Sequence, residues 1–350
     1  MRNGASQYAH PLPVLMDPDA VIPAKIPVDT LSSVLKSVRL EGAVFLDAEF
    51  TAPWCMRGKY GMTSVKQQLA GAEHVVLSHF LAQGACRVRL ADGGEVIDVA
   101  AGDLILFPQD DRHLMGSDLN LAPLEADHLI DAAAAAAVDP DFVRIRQGGG
   151  GAATRFVCGY LACSRSLCRP LFEALPCALR IPIGDGLASA LLRELLRVGV
   201  RESAASRPGA QSTLAKLAEL MFVEALRRYA EALPPEGRGW LAAVRDVQIG
   251  RALALLHEAP ERAWTVGELA REVALSRSLL AQRFAALVGE SPMQYLMRWR
   301  LALAARALRS SVDAIARVAE RSGYETEAAF SRAFKREFGL PPSAWRKAPA

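Results

Sequence analysis

The 350-residue chain lacks several features that would assign a protein to a class at once. It has no run of 18 apolar residues, the length that a membrane-spanning helix needs. Its first 20 residues lack the basic-then-apolar pattern of a secretory signal. Its six cysteines include no Cys-x-x-Cys pair, the spacing of zinc knuckles. These absences predict a cytoplasmic protein without membrane association, whose cysteines are reduced thiols.

The chain also lacks a strong charge of either sign, since 41 Lys and Arg against 38 Asp and Glu leave a net charge of +3. The charge is unevenly distributed: residues 246–350 hold 16 basic against 11 acidic residues, and the rest of the chain is slightly acidic. A chain of this length has room for two domains, each with its own hydrophobic core. The basic excess of the C-terminal part favours a partner with a phosphate backbone.

What the sequence does contain is one kind of helical unit twice, at Thr265–Gly289 and Val312–Gly339. In each copy a short amphipathic helix, a tight turn and a second, Arg-bearing helix follow one another. The first copy begins with a Thr-x-x-Glu capping box, and Ser276 caps its second helix. Gly323 and Thr326 supply the turn and the cap of the second copy. One copy fits an ordinary helical hairpin, but two favour paired helix-turn-helix units, whose second helices enter the DNA major groove.

The segment SPMQYLMRWRLALAARALRS joins the two copies. Ser291 is its N-cap and Pro292 occupies the first turn, where a missing N–H costs nothing. The pattern predicts one rigid helix that holds the two recognition helices about 34 Å apart, one turn of DNA. A single chain would then read two adjacent half-elements.

The runs SRSLLAQRF, VGESPMQYLMRWRL and SGYETEAAFSRAFKREFGLPPSAWRK resemble the DNA-binding domain of the AraC/XylS family of bacterial transcription regulators, over residues 246–347. The resemblance implies one base-reading face in each unit. The predicted DNA-contacting residues are Arg277, Ser278, Ala281 and Gln282 in the first unit and Glu327, Ala328, Ser331, Arg332 and Lys335 in the second. Five basic residues of the domain neutralise phosphates, stay solvated or specify sequence, and the pattern leaves these roles open: Arg277, Arg283, Arg298, Arg300 and Lys335.

The first part of the chain differs, because short alternating runs between residues 42 and 146 predict an all-β unit. Residues 102–113 (GDLILFPQDDRH) resemble the second conserved motif of cupins, small jelly-roll β-barrels, and His79 lies where the first motif begins. Leu81 stands where that motif has a second histidine, which leaves Gln83 as the further ligand nearby. Two histidines and a glutamine make a poor metal site, so we predict no metal and no cofactor.

The sequence therefore predicts an α+β protein with five segments. They are an N-terminal arm (1–30), a cupin-like β-barrel sensor (31–182), a helical pair for dimerisation or for packing on the barrel (183–233), a linker (234–245) and the double helix-turn-helix domain (246–350). Within the sensor, the alanine tract Asp131–Ala137 is expected to be a loop and Thr154–Leu161 a strand.

These patterns predict a sequence-specific, DNA-binding transcription regulator rather than an enzyme. AraC-type regulators carry a cupin-like sensor ahead of the DNA-binding domain, and the resemblance implies a small-molecule effector bound near Trp54, His79 and His113. The predicted partners are double-stranded promoter DNA, this effector, RNA polymerase and a second copy of the chain in a homodimer.

Two alternatives stay open. In the first, cysteine oxidation switches the same regulator, as is thought of some cupin-bearing AraC-like regulators. The candidate thiols are Cys55, Cys158, Cys163 and Cys168, of which the last two lie near Arg165 and Arg169, whose charge favours thiolate. Simple apolar packing explains the same cysteines equally. The remote alternative is a metal-dependent cupin enzyme that uses His79 and His113.

Overall fold

The computed structural model describes residues 41–58, 73–137, 143–183, 208–234 and 237–348, with a few helical positions near 31–35 and 190–198. The arm predicted at 1–30 and most of the first half of the helical pair predicted at 183–233 lie outside these residues. The α+β prediction is confirmed, since a sheet-rich N-terminal part precedes an all-helical C-terminal part.

The strands form two sheets, which we call the two-sheet unit (residues 41–183). A six-stranded sheet has the order β11-β6-β3-β10-β1-β9, and a five-stranded sheet has the order β5-β4-β7-β2-β8. The strands are β1 (Glu41–Thr51), β2 (Cys55–Gly58), β3 (His74–Gln83), β4 (Ala85–Leu90), β5 (Ile97–Ala100), β6 (Asp103–Phe107), β7 (His113–Gly116), β8 (Leu124–Glu125), β9 (Val143–Gly148), β10 (Ala153–Cys163) and β11 (Leu179–Pro182). The sheets are jelly-roll-like but do not close into the single barrel that we expected. Strand β10 contains the strand predicted at Thr154–Leu161.

The central strands of the larger sheet are buried on both faces, which explains their continuous apolar runs. Side chains such as Leu77 and Phe107 face the smaller sheet. The alternate residues, such as Val76 and Leu106, face helices that cover the outside. The six-stranded sheet is therefore the middle layer of the N-terminal part.

Among the described residues, the helices of this part whose bounds are given are α1 (Ala126–Ala136), α2 (Arg165–Phe172) and α3 (Ala210–Ala232). The loop predicted at Asp131–Ala137 was wrong, because alanine has the highest helix propensity and the tract extends α1. Helix α3 packs on β1 of its own chain, where a Cβ on Gly42 would lie 2.7 Å from the Ala215 carbonyl oxygen. Glycine is what allows this close approach. Leu220, on the outer face of α3, is exposed.

The C-terminal part consists of short helices around one long one. They are α4 (Trp240–Arg245), α5 (Val247–Glu258), α6 (Val266–Glu272), α7 (Arg277–Val288), α8 (Pro292–Ser310), α9 (Ile315–Arg321), α10 (Glu327–Phe338) and α11 (Pro342–Lys347). Helices α6 and α7 form the first helix-turn-helix unit, and α9 and α10 form the second. The segment predicted as a linker, 234–245, ends in α4, whose Trp240 and Leu241 are buried.

The two parts of the chain share one apolar cluster in addition to a cluster of their own between the sheets and in the second unit. One apolar cluster runs from Phe80 of β3 through α2 and α3 to Leu269 of α6 and Trp299 of α8. The second unit has its own cluster, which includes Leu308, Phe330 and Phe334. The shared cluster packs the first unit directly against the two-sheet unit. The second unit is connected to the rest of the protein mainly through α8.

Candidate DNA-binding surface, buried histidine pair and interdomain cavity

The caps predicted for the first helix-turn-helix unit are present in the structure. Thr265 accepts a hydrogen bond from the Glu268 N–H at 3.1 Å, and the Glu268 side chain accepts from the Thr265 N–H at 2.9 Å. Ser276 accepts from the Leu279 N–H at 3.2 Å and begins α7. Ala274, in the turn, has a φ of 54°, a left-handed conformation that is strained for alanine.

The second unit repeats this geometry with one more residue in its turn. Thr326 accepts from the Ala329 N–H at 3.1 Å and begins α10. Gly323 takes the turn position that corresponds to Ala274, with a φ of 75°. A Cβ on Gly323 would lie 2.7 Å from the Arg300 guanidinium carbon, so glycine meets both a conformational and a steric need.

The recognition helices α7 and α10 present the predicted residues to solvent. The two whose side chains are half-buried are Ala281 and Ser331. The exposed ones are Arg277, Ser278, Gln282, Glu327, Ala328, Arg332 and Lys335. The opposite faces carry Phe284 and Phe334, which are fully buried. This polarity is what a helix needs to enter a groove while it remains anchored to its domain.

Three of the arginines that the sequence left open have partners inside the domain. Arg283 pairs with Asp246, Arg298 pairs with Glu290 at 2.9 Å, and Arg300 donates to the Pro260 and Arg262 carbonyls. They position helices rather than reach outward. Within the described residues no ion pair engages Arg332 or Lys335, which leaves both side chains available to a polyanion.

Helix α8 connects the two units and contributes to both cores. At 1.5 Å per residue its 19 residues span roughly 28 Å. Leu296 and Trp299, near its start, pack with the first unit, whereas Leu301 and Leu308 pack with the second. The spacing of the recognition helices is thus set by one continuous rod.

A buried polar chain fixes the start of this rod. Trp240 Nε1 donates to the Tyr295 hydroxyl at 3.0 Å, and that hydroxyl is hydrogen-bonded to His257 Nε2 at 2.7 Å. The His257 ring stacks on Trp299 with centroids 4.2 Å apart. Burial lowers the pKa of His257 to about 3, so the ring is neutral at physiological pH.

The residues predicted to bind an effector lie together in the core between the two sheets. His79 Nε2 is 3.2 Å from His113 Nε2, and His79 Nδ1 is 2.7 Å from Cys158 Sγ. Trp54 stacks on Phe50 nearby. Burial lowers the pKa of His113 to about 4 and holds that of His79 well below its ordinary value, so both rings are neutral.

This core is densely filled. His113 stacks on Phe107 with centroids 3.7 Å apart, and Trp54, His79 and His113 are all buried. Gln83, the predicted further ligand, is exposed at the end of β3. In the described part of the chain no group of three or more His, Cys, Asp or Glu is placed to hold a metal ion. The assignment of an effector to these three residues stays a prediction.

All six cysteines are free thiols, and five of them are buried. Desolvation by burial raises the pKa of Cys55, Cys158 and Cys168, and Cys168 also hydrogen-bonds to Cys163. The expectation that neighbouring arginines favour a thiolate at Cys168 was therefore wrong, because the desolvation penalty dominates there.

Two ion pairs join the two-sheet unit to the second helix-turn-helix unit and its supporting helix. Arg309 of α8 donates to Glu73 at 2.5 Å, and Arg169 of α2 donates to Glu337 of α10 at 3.4 Å. Glu73 also accepts from the Ser164 hydroxyl and the Arg165 N–H, both at 3.1 Å. The partners are separated by 236 and 168 residues, so no local sequence signal marks them.

These ion pairs border a cavity of about 430 Å³, which we call the interdomain cavity. One side is the beginning of α2, with Arg165, Ser166 and Arg169. The other side is formed by α8 with Trp299 and by the second unit with Phe338 and Trp345. Sequence reasoning missed this site, because it exists only where the two parts of the chain meet.

Comparison with known proteins agrees with this architecture. A cupin family model matches residues 29–231, and a helix-turn-helix domain model matches residues 269–348. The chain is 36% identical to an AraC-like transcription regulator of Streptomyces lividans, over 79% of this chain and 88% of the relative. It is 27% identical to the transcriptional regulator AlkR of Acinetobacter baylyi, over 91% of this chain and 99% of that protein.

Among solved structures, the DNA-binding domain of AdpA in complex with a target DNA covers 29% of this chain and 90% of its own, at 30% identity and a TM-score of 0.28. Within the described residues, no helix is long and apolar enough to span a bilayer. The family matches and relatives define a class of helix-turn-helix transcription regulators with an N-terminal cupin domain. The chain belongs to the AraC-like transcription regulators.

Proposed function

We propose that this AraC-type regulator binds promoter DNA sequence-specifically and changes its DNA binding in response to a small-molecule effector. The observation that carries this proposal is the pair of capped recognition helices, α7 and α10, held on the single rod α8 with their polar faces exposed. We further propose that the protein acts in the cytoplasm as a homodimer and that it engages RNA polymerase at the promoter.

The two recognition faces differ, which supports unequal half-elements. The first face offers Ser278 and Gln282, and the second offers Arg332 beside the acidic Glu327. Amide and guanidinium groups form the bidentate contacts that read adenine and guanine edges. Glu327 suits cytosine N4 and disfavours nearby phosphate.

The test is selection of bound fragments from genomic DNA, followed by salt-controlled titrations with the selected site and a scrambled site. We expect the selected site to bind at least about 10³-fold more tightly. Equal affinity for both sites would refute sequence-specific recognition. Effector response is tested by repeating the titration with cell extract fractions of low molecular mass, where an unchanged Kd in every fraction would argue against it.

A further inference from the structure

We propose that the interdomain cavity binds an organic acid with an apolar body, and that this acid is the effector; the second half of the proposal rests on the proposed function above. The cavity volume of about 430 Å³ lies within the range of about 300–1,000 Å³ that is typical of small-molecule sites.

The apolar body is recognised by an aromatic lining. Trp299, Phe338 and Trp345 contribute rings, and Ala302 and Pro170 contribute aliphatic surface. Phe338 and Trp345 pack on each other with centroids 5.0 Å apart, so these two rings form a continuous wall. Apolar walls with a few charged groups are the usual composition of a ligand pocket.

The charge of the lining selects an anion. It contains the four arginines Arg165, Arg169, Arg298 and Arg309 against two glutamates. Three of these arginines have a carboxylate partner within 4 Å. Arg165, exposed at the start of α2, has none among the described residues. The planar guanidinium fork matches a carboxylate with two parallel hydrogen bonds, which favours a carboxylic acid.

The position of the cavity connects occupancy to DNA binding. A carboxylate beside Arg165 lies one helical turn from Arg169, the residue that α2 pairs with Glu337 of α10. The bound anion competes with Glu337 for Arg169 and weakens one of the two ion pairs that tie the second unit to the two-sheet unit. The second recognition helix is then less constrained by the sensor while the first stays fixed through the shared core.

The experiment measures binding of 1-naphthoate to the full chain by calorimetry, with its neutral counterpart 1-naphthalenemethanol as the matched ligand. We expect 1-naphthoate to bind at least about tenfold more tightly than the alcohol, because only the acid forms charge-assisted hydrogen bonds. Arg165→Gln should lower the affinity for the acid at least about tenfold and leave the affinity for the alcohol unchanged. Ser166→Phe, which places a large side chain at the rim of the cavity, should lower the affinity for both ligands.

Arg227→Gln, which removes an exposed arginine of α3 that does not line the cavity, is the control and should bind like wild type. No binding of 1-naphthoate at millimolar concentration, equal affinity for acid and alcohol, or wild-type binding by both cavity variants would each overturn the proposal. Loss of binding in His79→Asn, with R165Q and S166F unaffected, would also overturn it and would place the site between the sheets.

DNA titrations of the same variants without the acid keep the two proposals separate. We expect R165Q and S166F to bind the selected DNA site, and 1-naphthoate to change the DNA Kd of wild type at least about threefold but not that of R165Q. If 1-naphthoate binds the cavity and the DNA Kd does not move, the cavity is a binding site but not the effector site. If wild type binds no DNA specifically, the proposed function fails whether or not the acid binds.

Discussion

The neutral, buried His257 predicts a specific acid sensitivity of the first helix-turn-helix unit. Its ring hydrogen-bonds to the Tyr295 hydroxyl and stacks on Trp299, and burial lowers its pKa to about 3 from an ordinary value of 6.5. The folded protein therefore keeps the ring neutral in a pH range where the unfolded chain protonates it. The contribution of His257 to the free energy of unfolding is fully present above pH 6.5 and is lost progressively as the pH falls towards 3.

The size of the loss depends on how far the pH falls below 6.5, the pKa of histidine in the unfolded chain. Between pH 7 and pH 5 the unfolded chain takes up about 0.7 proton at this site and the folded protein takes up almost none. With 1.36 kcal/mol per pH unit below 6.5, the free energy of unfolding falls by about 2 kcal/mol through His257 alone. His113, whose pKa burial lowers to about 4, adds a loss in the same direction.

Urea unfolding of wild type and His257→Gln at pH 7 and pH 5 isolates this contribution. Glutamine keeps an acceptor for the Tyr295 hydroxyl but does not titrate, so H257Q should lose about 2 kcal/mol less than wild type over this interval. His128→Gln, on the exposed surface of α1, controls for the exchange of histidine for glutamine. The same pH-dependent loss in H257Q and wild type would show that His257 is not held neutral by burial.

Three further perturbations test the C-terminal part. Arg332→Ala should weaken specific DNA binding by about 1–3 kcal/mol, whereas Lys335→Ala should weaken binding to all DNA sequences equally and lower the slope of log affinity against log salt concentration by about 1. An unchanged ratio of specific to non-specific affinity in R332A would mean that Arg332 contacts phosphate. Phe334→Ala should lower the free energy of unfolding by about 3–5 kcal/mol, against little change for the exposed Leu340→Ala, and equal denaturation midpoints would contradict the core of the second unit. Gly323→Ala should destabilise by at least about 1–2 kcal/mol, whereas Ala274→Gly, at the corresponding turn, should be neutral or stabilising; thermal denaturation in which both changes have the same large cost would refute the shared left-handed turn.

Local signals in the sequence predicted much of the DNA-binding part. The caps Thr265, Ser276 and Thr326 were found from sequence because a cap and the helix that it begins are neighbours in the chain. Phe330, Phe334 and Phe338 recur every four residues in the sequence, a spacing that predicts one common helix face, and Phe330 and Phe334 are fully buried. The alanine tract was wrongly predicted to be a loop: it continues α1, because alanine has the highest helix propensity.

Long-range contacts could not be predicted in the same way. From the sequence, Arg283 and Arg298 were candidates for contacts with DNA or solvent. Only the folded chain shows that they pair with the carboxylates of Asp246 and Glu290. The pKa of Cys168 depends on burial from many directions, which outweighs the nearby arginines that the sequence made visible.

Helix caps, apolar periodicity and strand alternation are local properties, so the sequence was enough to predict two helix-turn-helix units on one rod behind a sheet-rich part. Two features needed the folded chain: the first unit shares a core with the two-sheet unit, and an arginine-rich cavity lies between the two-sheet unit and the second unit. Both features depend on which distant residues come together. Glu73 and Arg309 lie 236 positions apart, and only the packing of α2 against α8 brings their side chains into contact.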